Sequence, residues 1–166
     1  TFEAGERDPH IWLSPKRAQV MVAAIAEEMS ALDPDNALVY SENAAAYIAD
    51  LETLDEDITA ALEGIENRKF IVYHPAFGYF AEDYALEMYA LEEEGKEATV
   101  QRLQQMIDLA KAEGIKVIFY QSEIDSSQSQ AFAEEIGGRT MALSPLAADY
   151  IGNLRSMAEL MAEVMS

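Results

Sequence analysis

His10 and His74 are the only two histidines in a chain of 166 residues that has no cysteine. A borderline metal ion would therefore have to be held by imidazole, with oxygen donors making up the rest. Each histidine has a proline neighbour: Pro9 precedes His10 in DPHIWLSP, and Pro75 follows His74 in FIVYHPAFGYF. Proline fixes its own φ and restricts the residue before it, so both histidines read as loop residues whose rings have few directions to take. Either one alone is more often a packed, hydrogen-bonded side chain than a ligand. As a pair they gain weight, because they flank a helical region that can bring two lobes face to face. Two imidazoles do not complete a site: structural zinc takes four ligands and catalytic zinc three plus water. Carboxylates or further sequence must supply the others.

Rival chemistries find little support. Without cysteine there is no disulfide, thiol nucleophile or Cys-type zinc site. The chain has no Gly-x-Ser-x-Gly elbow, glycine-rich phosphate loop or dinucleotide fingerprint, and the hydroxyls of SEIDSSQSQ (122–130) lack a nearby base. A zinc hydrolase on His10 and His74 would need a third fixed ligand and an activated water, which no HExxH-like cluster provides. An enzyme is therefore not expected. Eleven Lys and Arg against 31 Asp and Glu give a net charge of −20, which repels phosphate backbones and anionic lipid surfaces and disfavours nucleic acid as a partner. The acidity reads as a solvated surface with a diffuse attraction for cations, and LEEEGKE (91–97) as a solvated turn within it. Met21, Met29, Met106, Met157 and Met161 fall on helical stripes and read as packing residues rather than copper or heme ligands. Trp12, the only tryptophan, reads as a core or interface anchor.

The elements that must carry the histidines follow from periodicity. Ser14 is a good N-cap and Pro15 suits a first helical position; Met21, Ile25, Met29 and Leu32 then recur at near-helical spacing, which predicts a helix of about 17 residues. After LDPDN a longer helix is expected over about 36–64, with Ala44, Tyr47, Ile48, Leu51, Leu54, Ile58, Ala61 and Ile65 on one stripe. At 1.5 Å per residue it would reach about 42 Å, enough to span two lobes. KFIVYH (69–74) and IKVIFYQ (115–121) read as buried parallel strands, with LEMYALE (86–92) and RTMALS (139–144) as weaker candidates. Helical segments alternate with them, and Gly114 and Gly137 act as stops. The expectation is an α/β fold: a four-stranded, mainly parallel sheet flanked by helices and preceded by one long inter-lobe helix. His74 would then sit at the carboxyl end of a strand, where open α/β sheets gather ligands. No apolar run reaches the ~20 residues of a transmembrane helix. Starting at Thr1, the chain reads as processed or as a fragment.

Four motifs in order and spacing, DPHIWLSP, YHPAFGYFAEDYAL, GIKVIFYQSEI and AEEIGGRTMALSPLAADYIGNLRSM, resemble the metal-binding solute-binding proteins of zinc and manganese ABC importers. The resemblance runs from Asp8 to nearly the end of the chain. It implies two α/β lobes joined by one rigid helix, with metal in the cleft: residues 1–35 as the end of the N-terminal lobe, 36–66 as the linking helix and 67–166 as the C-terminal lobe. It also implies His10 and His74 as metal ligands, a further histidine upstream of this chain, and an aspartate just before the PL of the last strand. Ser144 stands at that last position, so water or another carboxylate such as Glu123 would fill it. KEATV near residue 100 replaces the family's usual EPSP turn.

The implied function is an extracytoplasmic receptor, periplasmic or membrane-anchored, that delivers Zn2+, or alternatively Mn2+, to the membrane permease of an importer, present here without most of its first lobe. The imidazole at His74 favours zinc over the more oxygen-preferring manganese. Because only unprotonated imidazole binds metal, acid should release it. The alternatives are a manganese-type receptor and an adhesin or interaction module whose histidines are structural.

Overall fold

The computed structural model describes residues 7–92, 96–122 and 127–166. Four strands, β1 (Lys69–Val72), β2 (Glu87–Ala90), β3 (Val117–Gln121) and β4 (Arg139–Leu143), form one sheet in the order β2-β1-β3-β4. Every pairing is parallel, so the expected α/β architecture is present. The short helix α3 (Gly78–Asp83) joins β1 to β2, α4 (Val100–Ala112) joins β2 to β3, and α5 (Ser127–Glu135) joins β3 to β4. Helix α6 (Tyr150–Met165) follows the last strand.

Side-chain alternation along the strands divides the core into two layers. Phe70, Val72, Phe119 and Leu143 face one side and pack with Phe80 of α3 and with Leu154, Met157 and Met161 of α6. Ile71 and Ile118 face the other and pack with Met106 and Ala110 of α4 and Phe132 of α5. Burial on both faces explains why the two central strands read as continuous apolar runs rather than alternating ones.

Two helices precede the sheet. In α1 (Pro15–Leu32) the Ser14 hydroxyl accepts from the Arg17 amide at 3.3 Å, with Pro15 in the first position. A 3-10 turn (Pro34–Asn36) leads to α2 (Ala37–Leu62). The carboxyl half of α2 is anchored: Leu51, Leu54, Ile58 and Leu62 are buried with the sheet and α6. Its amino half packs against α1 and leaves Leu38 and Val39 exposed. The stripe expected to bury α1 is largely outward: Ile25 is 59% and Leu32 80% exposed, and Met29 is also exposed. Periodicity gave the helix correctly but could not say what covers its face.

Candidate metal site

The chain leaves β1 for β2 on one side of the sheet and then crosses to β3 on the other, so the carboxyl ends of β1 and β3 flank a topological switch point, where crevices in such sheets open. His74 lies two residues past β1. Its partner comes from the neighbouring strand: Val72 pairs with Ala90, the Glu92 amide donates to the Tyr73 carbonyl at 2.9 Å, and Glu92 Oε2 lies 2.9 Å from His74 Nδ1. Glu92 is only 8% exposed. The segment read from sequence as a solvated turn thus begins with two buried residues, Leu91 and Glu92; residues 93–95 lie outside the described residues.

His10 is presented by a 3-10 turn, Ile11–Leu13, and gripped from several sides. Asp8 Oδ1 accepts from both the His10 amide (2.9 Å) and His10 Nδ1 (2.7 Å). The Trp12 indole N–H donates to the Pro145 carbonyl at 3.1 Å, and the Tyr150 hydroxyl donates to the Trp12 carbonyl at 2.6 Å. Leu13 sits in the core beside the sheet residues. Ser14, fully buried, donates its hydroxyl to Asp83 Oδ2 at 2.6 Å. Trp12 is therefore an anchor, as its lone occurrence suggested.

These two scaffolds bring the imidazoles together. The rings meet edge to face, with centroids 5.2 Å apart and planes at 81°, and the two Nε2 atoms are 3.4 Å apart. A carboxylate against Nδ1 selects the tautomer with the proton on Nδ1, which leaves the lone pair on Nε2. Two lone pairs then point into one small space, an arrangement that repels unless a cation or a proton lies between them. A tetrahedral zinc with Zn–N distances of about 2.0–2.1 Å would have ligand nitrogens about 3.3–3.4 Å apart, which is the observed separation. The pair has the dimensions of one edge of a tetrahedral site, with a carboxylate behind each ring to orient it.

The opposite edge is not supplied by a ready-made cluster: among the described residues no three His, Asp or Glu side chains converge as a cage. The Ser144 hydroxyl lies 3.1 Å from that of Ser122, at the carboxyl ends of β4 and β3, and its carbonyl accepts from Asn153. Glu123, the other oxygen donor considered, lies outside the described residues. Asp8 and Glu92 were missed in the sequence. Asp8 carried a local signal, an aspartate two residues before the histidine amide it caps; Glu92 carried only its place at the end of a weak strand.

Residues 2–164 match the family model for the zinc-uptake complex component A, periplasmic. The chain belongs to this family. Its members are metal-binding substrate-binding proteins of ABC importers, as the four motifs implied. Among curated relatives, the zinc-binding protein AdcA of Streptococcus pyogenes serotype M1 is 36% identical over 141 residues, covering 84% of this chain and 27% of the relative. The high-affinity zinc uptake system protein ZnuA of Bacillus subtilis (strain 168) is 35% identical over 141 residues, covering 84% and 44%. The chain thus spans less than half the length of these relatives. A crystal structure of ZnuA superposes with a TM-score of 0.92 at 42% identity, over 96% of this chain and 62% of that one. The laminin-binding adhesin Lmb of Streptococcus agalactiae, in a mutant structure, superposes with a TM-score of 0.92 at 27% identity, over 100% and 66%.

Proposed function

We propose that this chain binds a transition-metal ion, zinc in preference to manganese, through His10 and His74, and that it serves an extracytoplasmic receptor that passes the metal to the membrane permease of an ABC importer. The observation that carries the reading is the 3.4 Å approach of two Nε2 atoms whose rings are each backed by a carboxylate. Membership of the zinc-uptake family and the names of the relatives, zinc-binding and zinc-uptake proteins, support zinc as cargo. An all-nitrogen edge also suits zinc better than manganese. The reading is a receptor rather than an enzyme, because Asp8 and Glu92 are committed to the Nδ1 atoms and neither is poised as a general base.

In this reading residues 1–35 close the first lobe, 36–66 link the lobes and 67–166 form the second. Helix α2, 26 residues and about 39 Å long, supports it: one half is sunk in the sheet's core, while the other carries exposed Leu38 and Val39 beside an apolar groove of Val22, Ile25, Met29 and Tyr47. No helix among the described residues is long and apolar enough to cross a membrane.

The test is a zinc titration of the chain and of His74→Ala against a chromophoric chelator at neutral pH. Saturable binding to the parent that is lost in the variant is expected. Equal binding by both would remove His74 from the site and overturn the assignment.

A further inference from the structure

We propose that Gly78 and Tyr79, acting through Asp8, are the positioning residues that aim the His10 ring, so that the short helix following His74 sets the direction of the other imidazole, His10. The inference rests on the metal-binding reading for its functional meaning, but its geometry stands on its own.

Asp8 orients His10 with one oxygen only, Oδ1. The other, Oδ2, lies over Gly78, where a Cβ would come within 2.8 Å of it. Gly78 is not among the glycines with positive φ, which among the described residues are Gly114 and Gly137. Its lack of a side chain therefore serves the close approach of a carboxylate rather than an unusual backbone. The next residue fixes the other end of Asp8: the Tyr79 hydroxyl donates to the Asp8 carbonyl at 3.1 Å. The Tyr79 ring is itself held, with the Arg17 guanidinium 4.3 Å from its centroid.

The same helix grips the far end of the histidine segment. Asp83, its last residue, accepts from Arg17 Nε and Nη2 at 2.7 and 3.0 Å and from the Ser14 hydroxyl at 2.6 Å. Residues 8–17 are thus clamped at both ends by α3, which begins four residues after His74. The separation of the two Nε2 atoms is then a property of one rigid body. Whatever supplies the remaining ligands approaches an edge already set. A side chain at position 78 cannot be accommodated without moving the Asp8 carboxylate, and the bond that yields is the one to His10 Nδ1.

The experiment compares the parent chain with Gly78→Ala and Tyr79→Phe in two measurements. Imidazole 15N shifts of the metal-free proteins are recorded at about pH 8, where an ordinary imidazole is neutral, and zinc affinity is measured by chelator competition. In the parent, both rings should show the Nδ1-protonated tautomer. Gly78→Ala should convert His10 to a mixture while leaving His74 unchanged, and weaken zinc binding about 10- to 100-fold, as loss of a ligand's orienting partner does elsewhere. Tyr79→Phe, which removes one hydroxyl and keeps the ring, should shift the same signals less and cost roughly two- to tenfold; it carries the test alone if Gly78→Ala does not fold. A His10 ring that keeps one tautomer in both variants overturns the proposal. So does an equal shift of both histidines with a lowered metal-free melting temperature, since α3 would then only be holding the fold together. A parent that binds no zinc while His10 alone shifts in Gly78→Ala would sink the metal reading and leave the positioning intact.

Discussion

Glu92 Oε2 stands 2.9 Å from His74 Nδ1 because β1 and β2 run parallel and in register. Val72 and Ala90 are partners, and two residues farther along each strand the side chains return to the same side and meet. The carboxylate is nearly buried, so its bond to the ring is poorly screened and fixes the tautomer that presents Nε2.

Glu92→Gln keeps a neutral acceptor of the same shape and removes the charge behind the ring. Zinc affinity should fall by about tenfold or more, read by chelator competition, with the circular dichroism spectrum unchanged. An affinity equal to that of the parent would show that the charge behind His74 does not reach the metal.

Ser144 offers a neutral hydroxyl where the resemblance to the importer receptors leads one to look for a carboxylate. Its loop is pinned against the His10 segment by the Trp12 bond to Pro145, so a longer, charged donor there would face the same crevice. Ser144→Asp should tighten zinc binding by at least about tenfold, equivalent to about 1.4 kcal/mol, in the same competition assay. No change would mean that position 144 points away from the metal and that the opposite edge comes from elsewhere.

The sheet and the histidines were legible in the sequence because each left a local mark. Apolar, β-branched runs at 69–74 and 115–121 gave the two central strands, and the prolines beside His10 and His74 marked both as loop residues with restricted rings. What could not be read depended on contacts between distant segments. The Glu92 partner requires the strand register, eighteen residues away from His74 in sequence. The Asp83 clamp on Ser14 and Arg17 joins residues 66–69 positions apart, and nothing in DPHIWLSP announces it. In α1, spacing identified an apolar face, yet Ile25 and Leu32 are exposed, because periodicity describes a helix and not its neighbours.

That clamp makes a pH prediction. The hydrogen bonds from Arg17 hold the Asp83 carboxyl below the ordinary carboxylate range; burial opposes this and the Ser14 hydroxyl adds to it. A carboxyl whose folded pKa is depressed stabilises the fold fully above its unfolded value, about 3.9, and loses that contribution as pH falls through the folded value. Asp83→Asn should therefore destabilise the chain by about 1–3 kcal/mol at neutral pH, with the gap to the parent narrowing below about pH 4. Relief of repulsion among the many other carboxylates on acidification acts on both chains and cancels in the difference. Urea denaturation at a series of pH values would measure the gap, and a gap that stayed constant into acid would contradict the assignment.

Trp12 makes the site observable without a label. It is the only tryptophan, its ring centroid is 5.5 Å from that of His10, and its indole N–H is tied to the Pro145 carbonyl. A metal drawing charge from the His10 ring changes the field at the indole, so zinc should alter the intrinsic emission with the same midpoint that chelator competition gives. Cu2+, which binds imidazole more tightly and quenches on contact, should extinguish most of it. Both responses should vanish in His10→Ala. In His74→Ala the zinc response should be lost with the binding while a residual copper response persists, because a single imidazole beside the indole still binds the tighter-binding ion. An emission change that survives His10→Ala would mean that the metal reaching Trp12 sits somewhere other than between the two histidines.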